Sequence, residues 1–203
     1  MMASAFRPLF LLPALCALML VPARADEAER AAKLVAAAIE RTKHPVVYDG
    51  SYRRIAYPGG DVPGHIGVCT DLVIRAYRKA LGIDLQKRVH EDMKKYFGDY
   101  PKDWGLTRPD PNIDHRRVPN LETFFKHQGA ALPVSRDGHD YRAGDLVTWR
   151  LNGSLPHIGV VTHKRSGDGK RPLIAHNIGA GPRLEDMLFD HPVTGHYRWL
   201  PES

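Results

Sequence analysis

Hydrophobic residues recur at helical spacing in four segments of the first two-thirds of the chain. In the second segment, apolar residues recur every three or four positions from Leu72 to Leu81, and Gly82 supplies a stop signal. Cys69 therefore lies at or near the first turn of that predicted helix. The predicted helices cover residues 27–41, 69–81, 85–97 and 120–129.

The last third of the chain changes to short strand-like runs separated by Gly, Pro, Asn and Asp. An earlier stretch, residues 46–57, is rich in β-branched residues and tyrosine, which predicts extended structure before the turn at Pro58–Gly60. Helices first and strands later favour an α+β domain in which antiparallel strands pack against the cysteine-bearing helix. The predicted strands centre on residues 145–149, 157–162, 173–176 and 196–199.

The N-terminus has the parts of a secretory signal peptide: Arg7, an apolar run from Pro8 to Val21, and the small-x-small pattern Ala23–Ala25. We therefore expect cleavage after Ala25, a periplasmic or secreted protein, and a single domain over residues 26–203. The apolar run is shorter than the roughly 20 residues that a membrane-spanning helix needs. No later segment is apolar enough to span, so we expect no membrane span.

Charge bears on the partners more than on the fold. The formal net charge of +6 falls to about +4 when Arg7 and Arg24 leave with the signal peptide. This mildly basic balance suits an acidic substrate such as the carboxylate-bearing cell wall. No block of Lys and Arg interleaved with aromatic residues is present, so nucleic acid is not an expected partner. The oligomeric state is left open.

Cleavage of the signal peptide also removes Cys16 and leaves Cys69 as the sole cysteine. In an oxidising compartment such a residue is a buried spectator, an intermolecular crosslink or a reactive thiol. A helix N-terminus lowers the pKa of a cysteine, and its N–H groups can hold an oxyanion. Asp71, in the same turn, suits the helix dipole, but its charge opposes a lowered thiol pKa.

A reactive cysteine also needs a base and a group that orients the base. His157 opens an apolar strand, and His176 closes the run that we predict as its hairpin partner. Histidines on neighbouring strands can stand side by side, one as base and the other as its orienter. Because adjacent strand residues point to opposite faces, Asn177 takes the orienting role if the strand faces the other way.

These residues resemble the pattern of the papain-like NlpC-type cell-wall peptidases. That pattern is a cysteine opening a helix, a Gly-Asp-Leu strand, a His-[small]-Gly-Val strand and a further polar residue one strand on. The stretches that match it here are Val68–Asp71, Gly144–Val147, His157–Val160 and Ile174–Asn177.

The resemblance implies a papain-like single domain with N-terminal helices packed on a small antiparallel sheet. It also implies Cys69 as nucleophile, His157 as base and His176 as the orienting residue. Tyr57, by a looser match, corresponds to a tyrosine that points at the nucleophile in some members.

In closer detail the chain resembles a bacterial exported family catalogued as domain of unknown function 1287. The resemblance spans most of residues 26–203. The shared signatures are Cys69–Asp71, Asn112–Asn120, His176–Gly181 and Gly195–Arg198.

The Asn112–Asn120 loop contains a tight cluster of charged and histidine residues: Asp114, His115, Arg116 and Arg117. One interpretation is a salt-bridged loop at the edge of the domain. The other is a substrate site in which the two arginines clamp a carboxylate, since guanidinium groups suit bidentate recognition.

A metal site is the last alternative, with His115, His163 and His196 as ligands beside Asp114. The chain lacks tight zinc spacing such as H-E-x-x-H, so we expect neither a metal nor another cofactor.

Together these observations predict an exported cysteine peptidase or amidase that cleaves an amide bond in cell-wall peptide through Cys69, His157 and His176. Two alternatives stay open. One is a thiol acyltransferase with the same triad, and the other is a non-catalytic envelope-binding protein on the same scaffold.

Overall fold

The structure, a computed structural model, describes residues 20–202. Residues 1–19, which hold most of the predicted signal peptide, lie outside the described residues. The first helix, α1, spans Leu20–Arg41, so it begins earlier than predicted and runs through the expected cleavage position after Ala25. Across residues 20–202, no helix combines the length and the apolar character needed to cross a membrane.

The helix that begins at Cys69 has clear signals at both ends. At its start, the Asp71 carboxylate accepts a hydrogen bond from the backbone N–H of Val68 at 2.6 Å, one half of a capping box. At its end, Gly82 takes a left-handed conformation with φ 66°. The predicted bounds are confirmed here. The later α-helices are α2 (Cys69–Leu81), α3 (Leu85–Tyr96) and α4 (Val118–His127).

The strands form a short parallel pair, β1 with β2, and a six-stranded antiparallel sheet in the order β3-β8-β4-β5-β6-β7. All six strands of the large sheet follow the α-helices in the chain, which confirms the predicted α+β class. The strands are β1 (Val47–Tyr48), β2 (Ile66–Gly67), β3 (Ala131–Leu132), β4 (Leu146–Leu151), β5 (Leu155–Arg165), β6 (Pro172–Ile178), β7 (Gly181–Glu185) and β8 (Val193–Tyr197).

Both faces of the large sheet are covered by hydrophobic clusters. Residues of one strand enter both clusters because alternate side chains point to opposite sides. On one face, Ile158, Val160 and Ala175 join the main core with the apolar residues of α2. On the other face, Trp149 and Ile174 belong to a second cluster, closed by residues that follow β7. The sheet thus supports the N-terminal end of α2 on one side and buries a separate layer behind it.

Candidate active site

Cys69 is the first residue of α2 and borders an open cleft of about 480 Å³. Only 3 % of the residue is exposed. Strand β2 ends just before Cys69, and residues of the Asn112–Asn120 loop line part of the same cleft. Other residues that line the cleft are Tyr48, Tyr52, Trp104, Arg116, Arg117 and Pro156.

The environment of the thiol favours its protonated form. Burial raises the pKa of Cys69 to about 11, although the backbone of Ile158 acts in the opposite direction. The charge of Asp71 raises the pKa further, and the Thr70 backbone and the Tyr48 hydroxyl lower it only in part. Burial therefore acts against the expected ionisation of this thiol by the helix N-terminus.

Because the pKa of Cys69 is raised, we expect iodoacetamide to alkylate the thiol slowly in a protein of residues 26–203. At pH 8 the folded protein should react about 200-fold more slowly than a free cysteine of pKa about 8.5, with a tenfold rise per pH unit. The unfolding free energy should be constant below the unfolded pKa and fall as pH rises towards the folded value, because the unfolded state releases the proton first. Protein unfolded in guanidinium is the control, and a half-maximal rate below pH 8.5 in folded protein would contradict this prediction.

His157 and His176 lie together on neighbouring strands. Nε2 of His157 and Nδ1 of His176 are 2.9 Å apart, both residues are buried, and their ring planes are nearly perpendicular. Gly159 faces His176 across the pair of strands, and a Cβ atom there would come within 2.5 Å of the Ile174 side chain. The glycine of the His-Ile-Gly-Val run therefore allows β6 to approach closely enough for the histidine pair to form.

Both imidazoles are neutral at neutral pH. Burial lowers the pKa of His157 to about 3, and the charges of His176 and His191 add to this effect. Burial also lowers the pKa of His176, against a hydrogen bond to Glu185 that raises it. Within residues 20–202, the His157 ring is hydrogen-bonded to His176 and not to the thiol. Cys69 instead shares the main core with Ile158, the next residue along β5, whose side chain points to the opposite face of the sheet from His157.

Asn177 does not share the position of His176. Its side-chain nitrogen donates a hydrogen bond to the carbonyl oxygen of Gly67 at 3.2 Å, while its side-chain oxygen is buried without a partner. It therefore supports the segment that leads to Cys69, on the opposite face from the histidine pair. The orienting contact to His157 comes from His176.

The tyrosine beside the thiol is Tyr48, not Tyr57. Tyr57 is largely exposed and packs edge-to-face on His90, with ring centroids 4.9 Å apart. Burial and the neighbouring Cys69 raise the pKa of Tyr48. Sequence reasoning missed Tyr48 because its position depends on the parallel pairing of β1 with β2, and no local sequence pattern indicates that pairing.

Arg116 is committed to a buried ion pair with Asp71. Its Nε and Nη2 atoms donate to the two Asp71 carboxylate oxygens at 2.9 and 3.0 Å, and the two side chains are 2 % and 3 % exposed. The guanidinium also donates to the carbonyl oxygens of Asp49 and Ser51, both at 3.3 Å. For Arg116 the structure favours the interpretation of a salt-bridged loop, since its donors already have internal partners. Its role is to join the loop to the first turn of α2.

Arg117 is the charged loop residue that still faces the cleft. Its guanidinium carbon lies 4.0 Å from the ring centroid of Trp104, and Nη1 is 3.3 Å from the carboxylate of Asp114. Its side chain keeps 17 % exposure. Arg117 therefore leaves part of its guanidinium group exposed at the cleft.

Asp114 and His115 are buried beneath the loop and do not line the cleft. Burial raises the pKa of Asp114 to about 6 and lowers that of His115 to about 4. The backbone N–H of Asp110 donates to Asp114, whereas Nδ1 of His115 has no partner. These positions support the loop rather than contact a ligand in the cleft.

The residues considered as metal ligands lie apart. His163 is exposed on β5, and His196 is buried with Nε2 at 2.7 Å from Asp145. In the described part of the chain, no group of three His, Cys, Asp or Glu side chains has an arrangement that could hold a metal ion. Asp145 of the Gly-Asp-Leu run also accepts hydrogen bonds from Arg198, so it anchors β8 to the start of β4.

The chain has relatives among known proteins. The family described as Domain of unknown function (DUF1287) matches residues 35–199. The Uncharacterized protein YijF of Escherichia coli (strain K12) is 56 % identical over 153 residues, which are 75 % of this chain and 74 % of that protein. The range that the family matches includes Cys69, the histidine pair and the Asn112–Asn120 loop. The family resemblance drawn from the sequence signatures is thereby confirmed.

Proposed function

This chain belongs to the DUF1287 family, and from that premise we propose that it is an exported cysteine hydrolase that cleaves an amide bond in cell-wall peptide. One observation carries the proposal. Cys69 opens a helix at an open cleft and packs in the core beside Ile158, the neighbour of His157, which is itself hydrogen-bonded to His176. The order of cysteine helix, base strand and orienting strand supports a papain-like domain of the NlpC type.

The raised pKa of Cys69 and the lowered pKa of His157 determine how the reaction begins. The resting protein holds a neutral thiol and a neutral imidazole, so no ion pair is formed before the substrate arrives. In the proposed reaction, substrate binding brings the His157 ring to the thiol, and His157 acts as a general base that takes the thiol proton while the sulfur attacks the carbonyl carbon. The N–H groups of the first turn of α2 stabilise the negative charge that develops on the carbonyl oxygen.

The remaining steps return the protein to its starting state. The C–N bond breaks, and the amine leaves with the proton that His157 carries. Water then attacks the thioester at Cys69 and gives one proton to His157. The C–S bond breaks, the sulfur recovers the proton, and the product leaves as a carboxylic acid.

The outer walls of the cleft favour a peptide that carries a carboxylate. Arg117 supplies a positive charge, while Trp104 and Tyr52 supply exposed aromatic surface beside it. Guanidinium groups bind carboxylates, and aromatic faces accept the apolar parts of a peptide or the face of a sugar. Cell-wall peptides combine these features and occur in the compartment that the predicted signal peptide indicates.

Detection of the acyl-enzyme tests this proposal. Residues 26–203 are incubated with cell-wall peptides at pH 7.5, quenched in acid and analysed by intact-protein and peptide mass spectrometry. We expect peptide products with a new amino terminus and a mass increase on the fragment that contains Cys69. An added amine that appears in the product would identify an acyltransferase instead. Peptides that stay intact, with no adduct at Cys69, would refute both activities.

A non-catalytic binding protein is the second candidate. The observations that favour it are the buried thiol with its raised pKa and the hydrogen bond of His157 to His176 rather than to Cys69. A binding protein would hold uncleaved peptide equally well before and after Cys69→Ser, as measured by calorimetry, and neither protein would release a product.

A further inference from the structure

The histidine pair continues to a third side chain, on β7. Nε2 of His176 is 2.9 Å from Oε2 of Glu185, and Nη1 of Arg183 is 2.9 Å from Oε1 of the same carboxylate. In the strand register Arg183 lies opposite His176, and Glu185 lies opposite Ile174. Glu185 is therefore the diagonal neighbour of His176, within reach of a long side chain. Nothing in the predicted triad uses this residue.

We propose that Glu185 is a positioning residue that determines which nitrogen of His157 accepts a proton. An ionised carboxylate only accepts hydrogen bonds, so the hydrogen on neutral His176 must be on Nε2. Nδ1 of His176 is then an acceptor, and Nε2 of His157 must carry the hydrogen between the two rings. The remaining nitrogen of His157, Nδ1, is left with a free lone pair and is the base.

The charges around Glu185 keep its carboxylate ionised. Burial alone would raise its pKa, but hydrogen bonds from Arg183 and His176 outweigh burial and leave the pKa below its usual value. Besides Glu185, Arg183 lies opposite His176, and His191 acts on His157. The acceptor role of Glu185 is therefore maintained at neutral pH.

Loss of Glu185 should release this constraint. Without an acceptor at Nε2, neutral His176 can carry its hydrogen on Nδ1 instead and donate to Nε2 of His157. His157 then carries its own hydrogen on Nδ1. In this tautomer Nδ1 has no free lone pair and cannot accept the thiol proton. The change of tautomer does not depend on turnover, whereas the effect of that change on catalysis rests on the proposed hydrolase function.

Imidazole ¹⁵N NMR on protein labelled at histidine tests the inference directly. In wild type, both rings should be neutral with hydrogen on Nε2. Glu185→Met removes the acceptor at similar size, and we expect protonated Nδ1 on His157 in a substantial fraction of molecules. Glu185→Gln keeps an acceptor oxygen and should retain the wild-type tautomers. Asp186→Asn is the matched control, because Asp186 pairs with Arg171 and not with Glu185 or the two histidines.

Activity provides the second measurement. If the protein hydrolyses peptides, Glu185→Met should lower kcat on the order of 10²-fold with little change in KM, while Glu185→Gln loses less. A folded Glu185→Met protein in which His157 keeps its wild-type tautomer would overturn the inference. A tautomer shift in a wild-type-like fold that never shows turnover would uphold the role of Glu185 and refute the hydrolase proposal, so the two failures are distinguishable.

Discussion

Cys69→Ser is expected to lower the rate of amide hydrolysis by about 10⁴-fold or more, because a serine hydroxyl at a site built for a thiol is a far weaker nucleophile. His157→Gln should cause a loss of similar size, since it removes the base while it keeps a polar side chain. The double variant should be scarcely slower than either single variant, because the two residues act as one unit. Liquid chromatography of the released product measures the rate of each of the three variants.

His163→Gln is the matched control for the base variant. His163 lies on the same strand as His157, but it is exposed and has no role in the proposed mechanism. Its activity should equal that of wild type, and the melting temperatures of all variants should confirm that they fold. If Cys69→Ser keeps a tenth or more of the rate, Cys69 is not the nucleophile.

Arg116→Ala is expected to lower the unfolding free energy by about 3–5 kcal/mol, because it leaves the Asp71 carboxylate buried without its partner. Arg117→Ala is the matched control on the adjacent residue. It removes a partly exposed side chain whose contact with Asp114 is a single one at 3.3 Å, so it should cost less stability than Arg116→Ala, but it should weaken binding of carboxylate-bearing peptide. Urea unfolding and calorimetric titration measure the two effects.

A double-mutant cycle separates the interaction energy of Arg116 with Asp71 from the individual effects of the two substitutions. In the Arg116→Ala background, Asp71→Ala should cost much less than it does alone, because the unpaired buried charge is removed. Additive losses would show that the two side chains do not stabilise one another. A large loss of stability in Arg117→Ala would instead assign both arginines to the structure of the loop.

The prediction of the histidine pair from the sequence illustrates what local patterns can determine. Two β-branched runs separated by a Gly-rich turn indicate a hairpin, and residue alternation then places His157 and His176 on one face. The structure confirms this contact and places Asn177 on the opposite face. Only the extension of the pair to Glu185 was missed, because it requires the register of a third strand.

The charged residues of the Asn112–Asn120 loop illustrate the opposite case. The sequence left the loop between a structural and a substrate-binding interpretation, and the two arginines are adjacent and chemically identical. The structure separates them, since Arg116 is buried against Asp71 and Arg117 faces the cleft. No local pattern distinguishes such neighbours, because a partner 45 positions away in the chain decides their roles.

Sequence patterns alone predicted the α+β class, the helix that begins at Cys69, the hairpin that pairs His157 with His176, and the family resemblance. These features depend on periodicity, turn residues and short motifs, which are local properties of the chain. The burial of Cys69, the position of Tyr48 rather than Tyr57 beside the thiol, and the burial of Arg116 with Asp71 emerge only in the folded protein. These features depend on desolvation and on distant partners, which arise when the helix, the loop and the sheet pack together.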